Sequence, residues 1–366
     1  MESVAASTRC ADASATLSDC HFDLPPELIA QVPAERRDHA RLLVLDRSSG
    51  EPTHTHVHAL AEHLHPGDLL VVNDTKVIPA RLFGRTASGG GVELLLVRAL
   101  TSADAQGTSD GPSWLCLGKP AKRLRVGTEI NLPDEQRATI DTVHGNGHYT
   151  IAFADAATVQ GLIARHGEIP LPPYIRRPDG PLPLDRTRYQ TVFADVPGAI
   201  AAPTAGLHFT AELLAVLQRK GVGIARLTLH VGPGTFLPVR SEDVSKHVMA
   251  AEWCDIPATT AERIRTVKAS GGRVVAVGTT TTRALESAAS EGDSVASGPR
   301  WADRFIVPGH EFRIVDALFT NFHLPGSTLL LLVSAFAGQA RILSTYAEAI
   351  RLGYRFYSYG DAMLIQ

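Results

Sequence analysis

The stretch Val274–Ala289, VVAVGTTTTRALESAA, decides how the chain is read. An apolar run of strand length ends at Gly278. Four threonines, Thr279–Thr282, follow, and a helical pattern that carries Arg283 then runs over 282–290. A strand that turns at a glycine into a helix is the repeating unit of an α/β sheet. The same alternation surrounds it. Gly223–Val231, Arg273–Gly278 and Phe312–Ala317 read as strands, and 211–220, 259–269 and 328–337 read as helices. Gly221 and Gly271 stand where helix stops are expected. The turn lacks the GxGxxG of dinucleotide sites and the GxxxxGK[ST] of phosphate loops, which disfavours a Rossmann dehydrogenase or a P-loop enzyme.

The first half reads differently. Arg41–Asp46 and Asp68–Val72 are short apolar runs bounded by turn residues. From about 76 to 153 come short strands and almost no helical pattern: Val92–Val97, Trp114–Leu117, Glu129–Leu132, Ala138–Val143 and Tyr149–Phe153. That spacing suggests a small closed or nearly closed β-barrel. The polar residues 101–113 read as an insertion in a hairpin.

Composition sets limits. The chain has 366 residues, 44% of them hydrophobic, enough for about two domains. A formal charge of −3 argues against a protein coated in basic charge but leaves room for a local basic patch. Cys10, Cys20, Cys116 and Cys254 form no CxxC pair and fit a reducing cytoplasm. Residues 1–20 have no apolar core of a signal peptide and read as a disordered extension. The longest apolar run, near Leu329–Ala337, is far short of the roughly 20 residues that span a membrane.

Several segments carry groups that could do chemistry. In Ala201–Thr210, AAPTAGLHFT, the small residues Thr204, Ala205 and Gly206 precede His208 and Phe209, and Thr210 reads as the N-cap of the next helix. One reading is a tight turn into a core helix. The other is a ligand cradle, where small side chains admit a substrate, the helix mouth supplies N–H groups, and a histidine handles a proton. Thr279 and Thr280 cap a helix or bind sugar hydroxyls. Asn321, Phe322 and His323 sit between a strand and an apolar helix; Phe322 could stack on a base. His247 and Glu252 share one short stretch. His54, His56 and His58 alternate along a strand, a half-exposed face rather than a metal site. Basic residues cluster at Arg81 and Arg85, at Lys119, Lys122, Arg123 and Arg125, and at Arg176, Arg177, Arg186 and Arg188. They are either solvated charge or a grip for phosphates.

Together these segments resemble one family. Gly67–Gly84, Tyr189–Phe193, Ala202–Thr210, Leu229–Val239, Val277–Ala289, Phe319–Phe336 and Tyr357–Ile365 match, in order, the S-adenosylmethionine:tRNA ribosyltransferase-isomerases of queuosine biosynthesis. The chain departs at Ala250, where the family commonly has histidine, and at Gly326, where it commonly has lysine. The resemblance implies a larger mixed α/β domain of 21–75 plus 154–366, with the β-barrel of 76–153 inserted in it. It implies transfer and isomerisation of the ribosyl unit of S-adenosylmethionine onto 7-aminomethyl-7-deazaguanine at the tRNA wobble position. The product is epoxyqueuosine, with release of adenine and methionine. S-adenosylmethionine is then a consumed cosubstrate, and no metal or redox cofactor is expected. The partners are tRNA and S-adenosylmethionine, with no membrane, and the protein is expected to be a cytoplasmic monomer.

Set against that chemistry, a base must remove the C5′ proton that the sulfonium acidifies. The candidates are His208, then His230, His247 and Glu252, with His323 to protonate the departing adenine. Thr204, Ala205 and Gly206 would leave room for the bound cosubstrate, Thr279, Thr280 and Arg283 would hold ribose hydroxyls or the methionine carboxylate, and Phe209 or Phe322 would stack on adenine or face the sulfonium. Arg81, Lys119, Lys122, Arg123, Arg176 and Arg177 would contact tRNA. Two other readings stay open: an S-adenosylmethionine-dependent tRNA methyltransferase, and a non-catalytic RNA-binding module built on the barrel.

Overall fold

In the computed structural model, residues 21–100, 112–232, 247, 249–291 and 293–366 are described. The extension 1–20, most of the 101–113 insertion and residues 233–239 of the matched LHVGPGTFLPV segment lie outside them. Strands β1 Arg41–Leu45, β2 Pro52–His56, β3 Leu69–Asn73 and β4 Thr75–Val77 come first. Then follow β5 Arg81–Thr86, β6 Gly91–Ala99, β7 Ser113–Lys119, β8 Glu129–Asn131, β9 Arg137–Gly145 and β10 His148–Phe153. The remainder contributes β11 Val196–Ala199, β12 Gly223–Leu229, β13 Glu252–Ile256, β14 Val274–Val277, β15 Ala289–Ser290, β16 Ser294–Val295, β17 Gly298–Ala302, β18 Ala317–Asn321 and β19 Ala362–Ile365. The helices are α1 Leu60–His63, α2 Ala156–His166, α3 Asp185–Arg188, α4 Ala211–Arg219, α5 Ala258–Ala269, α6 Thr279–Ser287, α7 Thr328–Ala337 and α8 Gln339–Arg351.

Nine strands form one mixed sheet in the order β17-β13-β12-β3-β14-β18-β19-β1-β2. Its centre, β12-β3-β14-β18, is parallel. Every residue of β3, β14 and β18 is buried, as expected of strands covered on both faces. Side chains alternate between two apolar layers. Leu69, Val71, Val274 and Ala276 enter one, and Leu70, Val72, Val275 and Val277 enter the other. At the carboxyl end of β3, Asn73 fastens its neighbour. Its Nδ2 donates to the Leu229 carbonyl at 2.9 Å, and its Oδ1 accepts from Leu229 N and Thr75 N, each at 3.0 Å.

The barrel is closed, in the order β10-β7-β6-β5-β8-β9, with antiparallel pairing throughout. Leu82, Leu94, Leu96, Ile130, Ile140 and Ile151 fill it. Helix α2, which the sequence reading leaves undetected, packs Val159 and Leu162 into the same core. Asp155 caps it by accepting from Thr158 N at 2.7 Å. The chain enters and leaves the barrel at one place. Arg81 and Glu168 exchange main-chain hydrogen bonds, and a Cβ at Gly167 would lie 1.9 Å from the Pro79 carbonyl oxygen. Only glycine fits that crossing.

Two local expectations shift. The strand is Ala317–Asn321, not Phe312–Ala317. Arg313, Ile314 and Val315 point their N–H groups at the Glu286 carboxylate, at 3.0–3.1 Å, instead of at a neighbouring strand. Helix α6 begins at Thr279 rather than 282, so the four threonines form its first turn. Helix α8 also went unread. Among the described residues no single helix is long and apolar enough to cross a membrane; α7 and α8 reach that length only as a pair, bent by 112°.

Glu286 satisfies three N–H groups of a buried turn. Glu286→Ala should lower stability by at least about 3 kcal/mol, because each stranded buried donor costs about 1 kcal/mol or more. Urea denaturation reads this directly, and an unchanged midpoint would show that the turn does not depend on the carboxylate.

Candidate active site

Four segments meet at the carboxyl ends of the parallel strands, where open α/β sheets place their ligand sites. The first is the entrance of α6. Gly278 adopts φ 93°, a left-handed conformation that releases the chain from β14 into the helix. Thr281 and Thr282 bond back to the Val277 and Gly278 carbonyls at 2.7 and 3.1 Å. Thr279 and Thr280 are buried, and their hydroxyls have no protein partner among the described residues. The second segment is a 3₁₀ turn, Thr204–His208, whose Ala205 packs beside Gly278. The third is the end of β18 with Phe322 and His323, and the fourth is the loop Tyr357–Asp361 before β19.

Asn321 ties three of them. Its Nδ2 lies 3.0 Å from the Tyr357 carbonyl and 3.0 Å from His208 Nε2. A carbonyl only accepts, so the group facing it is the NH2. His208 Nε2 therefore accepts, and the neutral ring carries its proton on Nδ1. Burial is the main cause that lowers the His208 pKa to about 4, although Asp361 opposes it. His323 is likewise buried, which lowers it to about 3, and its Nε2 pairs with Thr320 Oγ1 at 3.0 Å. Both imidazoles are neutral at pH 7. A cleft beside them is lined by Tyr174, Thr204, Asn321, His323, Tyr357 and Ser358. Tyr174 Oη and Ser358 Oγ are 2.6 Å apart across it.

Other expected residues stand elsewhere. Phe209 is fully buried against Phe193 and Phe319, with ring centroids 5.5 and 5.2 Å away, so it is core and offers no face to a ligand. Phe322 packs among Tyr346, Tyr354 and Phe356 and forms the wall behind the cleft. Arg283 is 1% exposed. It pairs with Glu252 at 2.7 Å and donates to the carbonyls of Ala250, Ala302 and Arg304. Glu252 also accepts from Gly232 N at 2.9 Å. Arg283 is thus an internal brace between α6 and β13, not a holder of the methionine carboxylate, and Glu252 is its counter-charge rather than an open base. His230 stacks on Trp253 at 5.0 Å and pairs with Thr75 Oγ1 at 2.8 Å; His247 lies against Phe305. Neither lines the cleft.

Among the basic residues, Arg177 is bound bidentately by Asp185 at 2.8 Å through both nitrogens and is closed to phosphate. Arg81 pairs with Glu93 at 2.9 Å. Lys119, Lys122, Arg123 and Arg176 are exposed. Ala250 lends its carbonyl to Arg283, and Gly326 turns the chain with φ 63°. His54 meets Tyr354 Oη and Glu348, and among the described residues no group of three or more His, Cys, Asp or Glu could hold a metal ion. The sequence reading notes Asn321 without giving it a role and passes over Tyr174 and Ser358. The available signal was the amide between a strand end and a histidine, an obvious place for a side chain that must face two ways.

A mixed α/β sheet with a closed barrel attached, and a polar cleft at the strands' carboxyl ends, defines an α/β enzyme scaffold. The family model described as Queuosine biosynthesis protein matches residues 17–365. The S-adenosylmethionine:tRNA ribosyltransferase-isomerase of Anaeromyxobacter dehalogenans is 51% identical over 350 residues, which is 95% of this chain and 99% of that protein. The protein of the same name from Citrifermentans bemidjiense matches equally, at 51% over the same shares. The crystal structure of the S-adenosylmethionine tRNA ribosyltransferase of Thermotoga maritima superposes with TM-score 0.53 at 36% identity, covering 95% of this chain and all of that one. This chain belongs to the queuosine biosynthesis protein family.

His208 and His323 are buried neutral, so the unfolded chain binds more protons than the folded one below the ordinary histidine pKa of about 6.5. Stability is therefore undiminished above that pH and falls as pH drops from about 6.5 toward 4. The urea midpoint should decline over this window, and less steeply in His323→Gln. An equal decline in both proteins would show that His323 does not contribute.

Proposed function

We propose that this chain transfers and isomerises the ribosyl unit of S-adenosylmethionine onto 7-aminomethyl-7-deazaguanine in tRNA, forming epoxyqueuosine and releasing adenine and methionine. The observation that carries this reading is the near-complete match to proteins named for that reaction, together with a cleft lined by His323, Asn321, Thr204 and Ser358, with His208 hydrogen-bonded to the Asn321 amide behind it. The reaction breaks the C–N bond to adenine and the C–S bond to methionine; the amine nitrogen bonds to the ribosyl unit and loses a proton, the unit closes to the epoxycyclopentanediol, and the proton taken from C5′ is balanced by the one that leaves on adenine. A tRNA substrate places the work in the cytoplasm.

The residues divide by what they offer. His208 is the acceptor for the C5′ proton: its ring is neutral, and Nε2 becomes free when Asn321 exchanges it for substrate. His323 lines the cleft and stands to hydrogen-bond the departing adenine. Thr279 and Thr280, at the helix entrance, supply hydroxyls for the ribose, and the small residues Thr204–Gly206 leave space next to them. Lys119, Lys122, Arg123 and Arg176 are free to meet tRNA phosphates, and the barrel of 76–153 is an inserted unit that presents three of them. A methyltransferase or a passive RNA-binding module is the competing reading, and no feature of the cleft favours either.

Purified protein, S-adenosylmethionine and tRNA carrying the aminomethyl base should yield free adenine and an epoxyqueuosine wobble nucleoside by chromatography and mass analysis. A methylated nucleoside, or binding without adenine release, would contradict the assignment. His208→Ala should lower turnover by about 100-fold or more, the usual scale for a lost proton-transfer group, with the fold intact by circular dichroism. Near-normal turnover would remove His208 from the chemistry.

A further inference from the structure

On the other side of the Thr204–His208 turn lies a second, narrower cavity, lined in part by Ala34, Arg37, Arg188, His208, Ser358 and Tyr359. It touches the cleft through Ser358, which lines both. Two guanidinium groups face it. Arg37 donates to the carbonyls of Leu207 at 3.0 Å and Thr187 at 2.9 Å. Arg188 donates to the carbonyls of Glu35, at 3.0 Å, and Ala34. Neither has a carboxylate partner among the described residues. The acidic groups nearby are engaged: Asp185 by Arg177, and Asp361 by Arg41 and Arg355. Burial, and then the charge of Arg188, pull Arg37 below its ordinary arginine value, so the two cations are close enough to repel.

Two further donors in this cavity have no partner among the described residues. Arg188 Nε and the Tyr359 hydroxyl are both buried and unbonded, and Tyr359 is only 2% exposed. Buried donors without acceptors are costly, and so are adjacent like charges. One ligand relieves all of it: an oxyanion, which accepts from guanidinium and phenol together and neutralises the pair. We propose that Arg37, Arg188 and Tyr359 form an anion site that takes a carboxylate or phosphate group beside His208.

On the proposed activity, that group comes from one of two sources: the carboxylate of the methionine part of S-adenosylmethionine, or a backbone phosphate of tRNA. Only the choice of source rests on that activity. The first source also fills the place left by Arg283, which is closed to ligands. An anion seated here would stand next to the His208 ring and favour the proton that it takes up.

The test measures binding of S-adenosylmethionine and of its decarboxylated analogue by calorimetry, and of tRNA by fluorescence anisotropy. The proteins are wild type, Arg188→Gln and Tyr359→Phe. Tyr359→Phe removes only an unbonded hydroxyl, so its fold should be kept even if Arg188→Gln, which loosens the 34–35 segment, unfolds. If the site holds the methionine carboxylate, the variants should bind S-adenosylmethionine at least about tenfold more weakly. Wild type should lose a similar factor with the decarboxylated analogue, and the variants should not distinguish the two compounds. If it holds a tRNA phosphate, S-adenosylmethionine binding should be unchanged, tRNA binding should weaken, and the salt dependence should shallow by about one phosphate contact. Unchanged binding of both ligands in folded variants of an active wild type would overturn the site. Should wild type release no adenine, the activity assignment fails separately, and inorganic phosphate becomes the probe. Phosphate that binds wild type but not Tyr359→Phe or Arg188→Gln would retain the site, and equal or absent binding would remove it.

Discussion

The site depends on one amide. Asn321 has a single NH2 group, and it faces two acceptors that come from distant parts of the chain, the Tyr357 carbonyl and His208 Nε2. That sharing fixes which way the amide points and which tautomer His208 adopts. It also sets the distance between the turn at 204–208, the end of β18 and the loop before β19. In a buried environment such a bond is strong, and a missed partner is costly, so the three segments can pack in only one way. The cleft and the anion site lie on opposite sides of the turn that this bond holds.

The sheet makes that arrangement possible. Strands β12, β3, β14 and β18 run parallel and end together, so the loops after them gather on one edge. Asn73 and the Arg283–Glu252 pair then hold that edge from behind. Breaking the pair by removing one partner would leave a buried charge uncompensated, a loss of about 3–5 kcal/mol. Arginine at 283 thus shapes the helix that carries Thr279 and Thr280 without meeting a ligand.

Much of the fold was legible because apolar runs and glycine stops are local signals. The barrel strands and the helices at 211, 258 and 328 follow from them. Helix α2 escaped because Gly161 breaks its pattern and because its apolar residues face the barrel rather than the sheet. The strand at 317 was read too early because Ile314 and Val315 are apolar, while the carboxylate that draws off their N–H groups lies 28 and 29 residues earlier in the chain, at Glu286. The site divides the same way. His208, His323 and the threonines announce themselves by type and by position at a helix mouth. Whether Arg283 or Arg188 is free for a ligand depends on partners distant in sequence. Reading alone chose Arg283, and the structure pairs it with Glu252 and leaves Arg188 without a carboxylate partner among the described residues.

The most direct test concerns the His208 ring, which burial keeps neutral and whose proton the Asn321 amide directs to Nδ1. Nitrogen-15 spectra of histidine-labelled protein, titrated from pH 7.5 down to 4, report both the tautomer and the protonation of this ring. An Nδ1–H tautomer should persist without protonation well below pH 6, and it should be lost, or the pKa raised, in Asn321→Asp, where the donor is gone. An Nε2–H tautomer, or titration near the ordinary value of about 6.5, would contradict the buried Asn321–His208 arrangement between the cleft and the anion site.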